Sequence, residues 1–115
     1  MKIFISTIFA ILFFSFTLPG TVKKTTETLI GFSMNDEKSE VTITVASNGC
    51  TQKTDFSFVI KTNTITVMRS KPDQCKRLTE AVSFTYTFKE TGIDSHKQYK
   101  VLNPFTANVF GAMVH

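Results

Sequence analysis

Few residues in this chain have the types and spacing that catalysis requires. A hydrolase needs a nucleophile, a base and a group that orients the base, all within hydrogen-bond reach. The chain of 115 residues contains two histidines, of which His115 is the last residue. The other, His96, directly follows Asp94 and Ser95, and the side chains of adjacent loop residues diverge and rarely form a triad. We therefore expect His96 to be a solvated loop residue.

The acidic residues form no pattern that indicates glycoside hydrolysis or metal binding. A glycosidase needs two facing carboxylates, whereas the nine acids of this chain are scattered among turns and predicted strand ends. Residues 35–40 (Asn-Asp-Glu-Lys-Ser-Glu) lack a calcium-loop pattern and contain a lysine. Two cysteines and two histidines are too few for a zinc cluster, and the isolated glycines form no phosphate-binding loop. We predict that the protein is not an enzyme and holds no cofactor or metal.

Positive charge is concentrated in residues 69–77. This segment reads Arg-Ser-Lys-Pro-Asp-Gln-Cys-Lys-Arg, with four cations and one anion. The net charge of the whole chain is +4, which is too small to indicate nucleic-acid binding. We predict a binding module for an acidic glycan, a lipid headgroup or an acidic protein surface, with contacts made by Lys53, Arg69, Lys71, Lys76 and Arg77.

Three other interpretations of these segments remain open. A disulfide-braced basic loop that contains Lys71 and Pro72 also suits a protease inhibitor, which occupies a cleft as a slowly cleaved substrate mimic. A last strand over residues 105–110 suits an envelope or assembly subunit that pairs through an open sheet edge. The simplest interpretation is a hydrated loop in which Arg69 stacks on Phe56.

The first twenty residues have the layout of a secretory signal peptide. Lys2 is followed by an apolar stretch from Ile3 to Leu18, and then by Pro19 and Gly20. This stretch is shorter than the roughly 20 residues that a membrane-spanning helix needs. We predict a signal-peptide helix over 1–20, a secreted or periplasmic protein, and a single domain over 21–115. Membrane contact is expected only through the signal segment, if it stays uncleaved.

Beyond residue 20 the apolar residues recur with a period of two, which is typical of strands with one buried face. The predicted strands are 25–33, 40–46, 54–61, 64–69, 81–89, 98–102 and 105–110. We predict an all-β fold, a small antiparallel β-sandwich of about seven strands. In outline it resembles immunoglobulin-type sandwiches, but the chain has no tryptophan and lacks their strand-to-strand cysteine pattern. No functional residue is therefore transferred from that family.

The register of the central hairpin is also predictable. If Thr62 and Asn63 form a two-residue loop, most large apolar residues of both strands lie on one face. The predicted pairs are Ile60 with Ile65, Phe58 with Val67, and Phe56 with Arg69.

Export makes Cys50 and Cys75 a disulfide candidate, because an even pair of cysteines in a small exported domain is normally bonded. Closing this loop stabilises the fold by roughly 3.5 kcal/mol on the chain-entropy model. If sequential strands are antiparallel neighbours, the second and fourth strands end at the same end of the domain. Each cysteine follows one of those strands, so the sequence predicts a disulfide beside the basic segment.

Overall fold

The fold is built mainly from β-strands. The computed structural model describes residues 23–112, so the predicted signal peptide over residues 1–20 and His115 lie outside the described part. The strands are β1 (Thr25–Thr26), β2 (Gly31–Asn35), β3 (Glu40–Ser47), β4 (Phe56–Ile60), β5 (Thr64–Arg69), β6 (Glu80–Thr87) and β7 (Lys100–Val101). They form two separate sheets, and neither closes into a barrel within residues 23–112. None of the helices in that range has the length and apolar character needed to cross a membrane.

The first sheet has the order β2-β3-β6, and both pairs of strands are antiparallel. Alternation along β3 gives this sheet an apolar face, on which Val41, Ile43 and Val45 are buried. Hydroxyl groups occupy the other face, where the Oγ1 atoms of Thr42 and Thr85 lie 2.9 Å apart on paired residues. The threonine-rich alternation in the sequence therefore separates the apolar face of this sheet from its polar face.

The second sheet has the order β1-β5-β4, and β7 pairs with β5 in parallel. Lys61 donates its backbone N–H to the Thr64 carbonyl at 2.9 Å, which leaves Thr62 and Asn63 as the predicted two-residue loop. Neither loop residue has a positive φ, although the commonest two-residue hairpin turns use one or two. The predicted register is confirmed, with the pairs Ile60–Ile65, Phe58–Val67 and Phe56–Arg69.

A buried asparagine joins the short strands beside β5. Asn103 accepts the backbone N–H of Val67 at Oδ1, at 2.8 Å. Its Nδ2 donates to the carbonyl oxygens of Val67 at 2.8 Å and of Glu27 at 2.7 Å. Because β1 pairs with one end of β5 and β7 with the other, the Asn103 amide satisfies the β5 backbone groups between them.

One core lies between the two sheets. Most of its buried aliphatic side chains come from β3 in the first sheet and from β5 in the second, and Leu29 and Ile93 add two from outside the strands. Aromatic contacts connect β4 to β6 across the sheets: the rings of Phe58 and Tyr86 meet edge to face at 4.9 Å, and those of Phe56 and Phe84 lie 5.8 Å apart. The two apolar faces thus cover each other, as the strand pattern requires.

The predicted C-terminal boundary of the strand over 81–89 was wrong. β6 ends at Thr87, and a short helix, α1 (Phe88–Thr91), follows it directly. Thr87 Oγ1 accepts the N–H of Glu90 at 3.0 Å, and the Glu90 carboxylate accepts the N–H of Thr87 at 2.7 Å. This reciprocal capping box starts the helix, and Gly92 ends it with a φ of 88°. The sequence signal was the Thr-x-x-Glu spacing that ends at Glu90.

Predictions near the ends of the described chain were also wrong. Residues 105–110 form no strand: Phe105 makes one parallel bridge to Leu29, and Val109–Ala112 form a 3-10 helix. The predicted strand over 25–33 divides into β1 and the start of β2, and the one over 98–102 shortens to β7. Both β7 and the Phe105 bridge are parallel rather than antiparallel. Their pairings are too short for side-chain alternation to specify them.

The chain crosses between the sheets twice near the cysteines. Residues 48–55, the first crossover, connect β3 in the first sheet to β4 in the second. Residues 70–79, the second crossover, return the chain from β5 to β6. The strands β3 and β4 are therefore not neighbours, contrary to the prediction. We call the two crossovers together the disulfide pole.

Candidate functional site

The predicted disulfide is confirmed. Cys50 lies in the first crossover and Cys75 in the second, and their sulfurs are bonded across a Cα–Cα distance of 5.7 Å. The bond therefore ties together the two segments that connect the sheets. Such a bond is typical of proteins that fold in an oxidising compartment outside the cytosol.

A buried carboxylate holds the two crossovers together beside the disulfide. The Oδ2 atom of Asp73 accepts hydrogen bonds from four groups in residues 47–51. These are Ser47 Oγ at 3.2 Å, Asn48 N at 2.8 Å, Cys50 N at 3.0 Å and Thr51 Oγ1 at 2.7 Å. Its Oδ1 atom accepts the N–H of Cys75 at 3.0 Å. Five donors in all converge on this side chain, which is 7% exposed.

These hydrogen bonds decide the charge state of Asp73. Burial by itself raises the pKa of a carboxyl group, because it disfavours the charged form. Here the hydrogen bonds from Thr51, Cys75, Asn48 and Cys50 favour the charged form more strongly, and the pKa of Asp73 is held far below its usual range. The carboxylate therefore stays ionised and acts as the centre of the disulfide pole, facing inward.

The second crossover is also fixed at its far end. The carbonyl of Asn48 accepts the backbone N–H of Arg77 at 3.0 Å, and Asn48 Oδ1 accepts the hydroxyl of Thr79 at 2.6 Å. Gly49, with a φ of 112°, lies under the Arg77 side chain, and a Cβ at this position would come within 2.5 Å of Arg77 Cδ. Both neighbours of Leu78 are thus held in place, while Leu78 itself is 82% exposed.

The exposed cations of the second crossover are Lys71, Lys76 and Arg77. We call these three residues the cationic set. Within residues 23–112 the ion pairs involve other basic side chains, namely those of Lys53, Arg69 and His96. No described carboxylate lies within ion-pair distance of the cationic set, so its charge is directed to solvent.

Arg69 lies apart from the cationic set, although it was predicted to contact a ligand. It is 2% exposed, and its Nε and Nη2 donate to the two carboxylate oxygens of Glu27, both at 2.9 Å. Its guanidinium stacks over the Phe56 ring at 4.7 Å and also donates to Thr51 Oγ1 at 3.2 Å. Since these donors are engaged inside the protein, we assign Arg69 a structural role.

Lys53 also lies apart from the cationic set, because it contacts Glu90 and Tyr86. Its Nζ lies 3.7 Å from a Glu90 oxygen and 4.9 Å from the centre of the Tyr86 ring. These residues line an open groove of about 520 Å³ whose apolar wall is formed by Phe56 and Phe58. Lys53 thus belongs to this groove, and the cationic set stands without it.

The pKa values of two groups in this groove, Glu90 and Tyr86, are shifted. The pKa of Glu90 is lowered, first by the hydrogen bond from the Thr87 N–H and then by the charge of Lys53. Burial raises the pKa of the Tyr86 hydroxyl, and the nearby carboxylates of Glu90 and Asp55 raise it further. Tyr86 therefore keeps its proton, which it donates to the Lys53 carbonyl at 2.6 Å. The groove therefore offers a wall on which the Tyr86 hydroxyl is held by a hydrogen bond.

The polar loop with His96 lines a second open groove of about 520 Å³. His96 is highly exposed, and its Nδ1 lies 3.9 Å from an oxygen of Asp94. Asp94 also accepts the backbone N–H of His96 at 2.8 Å, which is a local turn contact. Within the described loop, no hydrogen bond joins Ser95 to His96, so the geometry shows no activated nucleophile there.

One cluster in the described chain has residue types that ligate metals. It consists of Cys50, Asp73 and Cys75. The two sulfurs are bonded to each other, and the carboxylate is occupied by five donors. This cluster therefore acts as a brace of the fold.

No family model, curated protein or solved structure matches this chain. Functional inference therefore rests on its own residues. The three site residues that sequence reasoning missed are Asp73, Asn48 and Leu78. A Pro-Asp pair marks Asp73 as a turn residue, but no sequence pattern indicates five converging donors.

Proposed function

We propose that this chain is an exported, non-enzymatic binding module whose disulfide pole binds anionic groups. The observation that carries the proposal is an unpaired cationic set on a loop held by the disulfide, by the Asp73 hydrogen bonds and by the Asn48 contacts. Lys71, Lys76 and Arg77 are exposed, whereas Asp73, the acid within the same segment, points inward and is saturated by hydrogen bonds. The proposal includes a removed signal peptide over 1–20 and an immunoglobulin-like sandwich as the scaffold.

Bracing matters because binding orders the groups that make contact. A flexible basic loop loses conformational entropy when it binds, and that loss weakens the complex. Here the disulfide, the Asp73 hydrogen bonds and the Asn48 contacts hold the backbone of the second crossover before any ligand arrives. The backbone positions that carry the cationic set are therefore ordered before binding, which favours a surface with several negative charges.

Export is supported by the same structural feature. A disulfide between the crossovers is stable in an oxidising compartment and is reduced in most cytosols. The signal-like layout of residues 1–20 agrees with that location. Together these two features support secretion or a periplasmic site of action.

The proposal is tested by titrating the oxidised protein with heparin, a soluble polyanion, at 50 and 300 mM salt. Replacing both Lys76 and Arg77 with Ser should weaken binding about tenfold at low salt, because exposed charges lose their attraction when removed or screened. The matched control replaces Lys97 and Lys100, which are exposed on other segments, with Ser and should change affinity less than twofold. Equal affinity of both variants, or a wild-type affinity independent of salt, would refute the proposal.

The two alternative functions, an assembly subunit and a protease inhibitor, differ in how well they agree with the structure. Pairing through a C-terminal edge strand loses its basis, because residues 105–110 form no strand. The protease-inhibitor interpretation uses the same braced loop, and Lys71 before Pro72 is exposed as such a function would need. Inhibition of trypsin without heparin binding would favour it over the proposal made here.

A further inference from the structure

We propose that the anionic surface is a lipid bilayer and that Leu78 inserts into it beside the cationic side chains of Lys76 and Arg77. This inference rests on the proposed function and names its partner. Leu78 is the most exposed of the large apolar side chains in the described chain, at 82%, and it directly follows Lys76 and Arg77. An apolar side chain that directly follows two cations matches the boundary between phosphate headgroups and acyl chains.

The exposure of Leu78 is imposed by its neighbours. The Arg77 N–H and the Thr79 hydroxyl are both bonded to Asn48, and Thr79 is buried. The residues on both sides of Leu78 are thus anchored, and these contacts hold the Leu78 backbone at the surface of the second crossover. Its apolar surface stays in water until another molecule covers it.

A bilayer uses both properties of the loop, whereas a soluble polyanion uses one. Heparin or a similar glycan pairs with the cationic set but leaves Leu78 in water. An anionic bilayer pairs with the same cations through its phosphates and also removes Leu78 from water. Glu80 is the exposed acid that follows most closely along the chain, and it should oppose this association.

The test measures binding of the oxidised full domain to vesicles of phosphatidylcholine, with and without 50% phosphatidylglycerol, by sedimentation. We expect binding to the anionic vesicles only. Replacing Leu78 with Ser should weaken vesicle binding about tenfold and leave heparin affinity unchanged. Replacing Leu102 with Ser is the matched control, since Leu102 is 52% exposed on another segment, and should change vesicle binding less than twofold.

Direct evidence of insertion comes from fluorescence, because the chain contains no tryptophan. In the Leu78→Trp variant the single indole should shift to shorter wavelength on anionic vesicles and be quenched by brominated acyl chains. The Leu102→Trp variant should show neither change. A position-78 indole that stays solvent-exposed on bound vesicles would overturn the inference.

The outcomes separate this inference from the proposed function. Salt-sensitive heparin binding without vesicle binding overturns the bilayer and keeps the anion-binding module, with an acidic glycan or protein as its partner. If the wild-type protein binds neither heparin nor anionic vesicles, both the proposed function and the bilayer inference are overturned. Vesicle binding that is unaffected by Leu78→Ser also overturns the insertion, because the cations alone would then account for it.

Discussion

Replacing Asp73 with Asn tests whether one carboxylate organises the disulfide pole. The amide oxygen can replace Oδ2 and accept its four hydrogen bonds, but the amide NH₂ then faces the N–H of Cys75, donor against donor. Hydrogen bonds to a charged group contribute about 1.5–3 kcal/mol each, and those that remain become weaker without the charge. We expect the free energy of unfolding at pH 7 to fall by about 3 kcal/mol.

The same variant has a defined dependence on pH. Because the folded-state pKa of Asp73 lies far below its usual value, the stabilisation is complete above about pH 4, the ordinary aspartate pKa. Below pH 4 the unfolded chain binds a proton that the folded protein excludes, and the stabilisation declines by about 1.4 kcal/mol per pH unit. Asparagine does not titrate, so the stability difference between wild type and variant should shrink over this range.

The assay is urea unfolding of the oxidised proteins at pH 7, 4, 3 and 2.5, followed by circular dichroism. Asp36→Asn is the matched control, because Asp36 is an exposed carboxylate in the turn between β2 and β3. A loss below about 1 kcal/mol for Asp73→Asn at pH 7, or a difference that does not change below pH 4, would refute the reasoning.

Three further predictions concern groups that connect the strands. Replacing Cys50 and Cys75 with Ser should lower the free energy of unfolding, measured in urea, by about 3.5 kcal/mol; a loss under 1 kcal/mol would mean that hydrogen bonds alone hold the crossovers. Arg69→Met leaves the Glu27 carboxylate buried without its partner and should cost about 3–5 kcal/mol. The double variant that also carries Glu27→Leu should lose less free energy of unfolding than the two single variants combined. Strictly additive losses would contradict a coupling between Arg69 and Glu27. Asn103→Leu should cost about 3 kcal/mol, because the buried Val67 N–H and Glu27 carbonyl lose their partner, whereas the Val67 carbonyl keeps the Glu27 N–H at 3.1 Å. Hydrogen exchange in the middle of β5 should also accelerate, and unchanged protection would argue against this role.

Two hydrophobic patterns show how far local sequence carries the fold. The alternation along β3 and β6 predicted both strands within two residues, since burying one face of a sheet requires that pattern. The β4–β5 register followed from a two-residue loop, because a shift by one residue would turn the apolar side chains to solvent. Where a strand is only two residues long, as in β1 and β7, alternation cannot specify it. Such a strand forms only because it pairs with β5, which is distant in sequence, and Asn103 binds the β5 backbone between β1 and β7.

Some features of the candidate site were likewise predictable from local sequence, and others depend on tertiary contacts. The sequence indicated the disulfide and the surplus of positive charge, because the signal-like layout of residues 1–20 makes a pair of cysteines a disulfide candidate and a run of basic residues carries its charge without reference to the rest of the chain. Only tertiary contacts separated the cations: Arg69 is buried against Glu27, whereas Lys71, Lys76 and Arg77 remain exposed. Burial and hydrogen-bond partners depend on residues far away in sequence, so no local pattern distinguishes a structural arginine from one that faces solvent. The exposure of Leu78 was decided at the same level, by the contacts that its neighbours make across the disulfide pole.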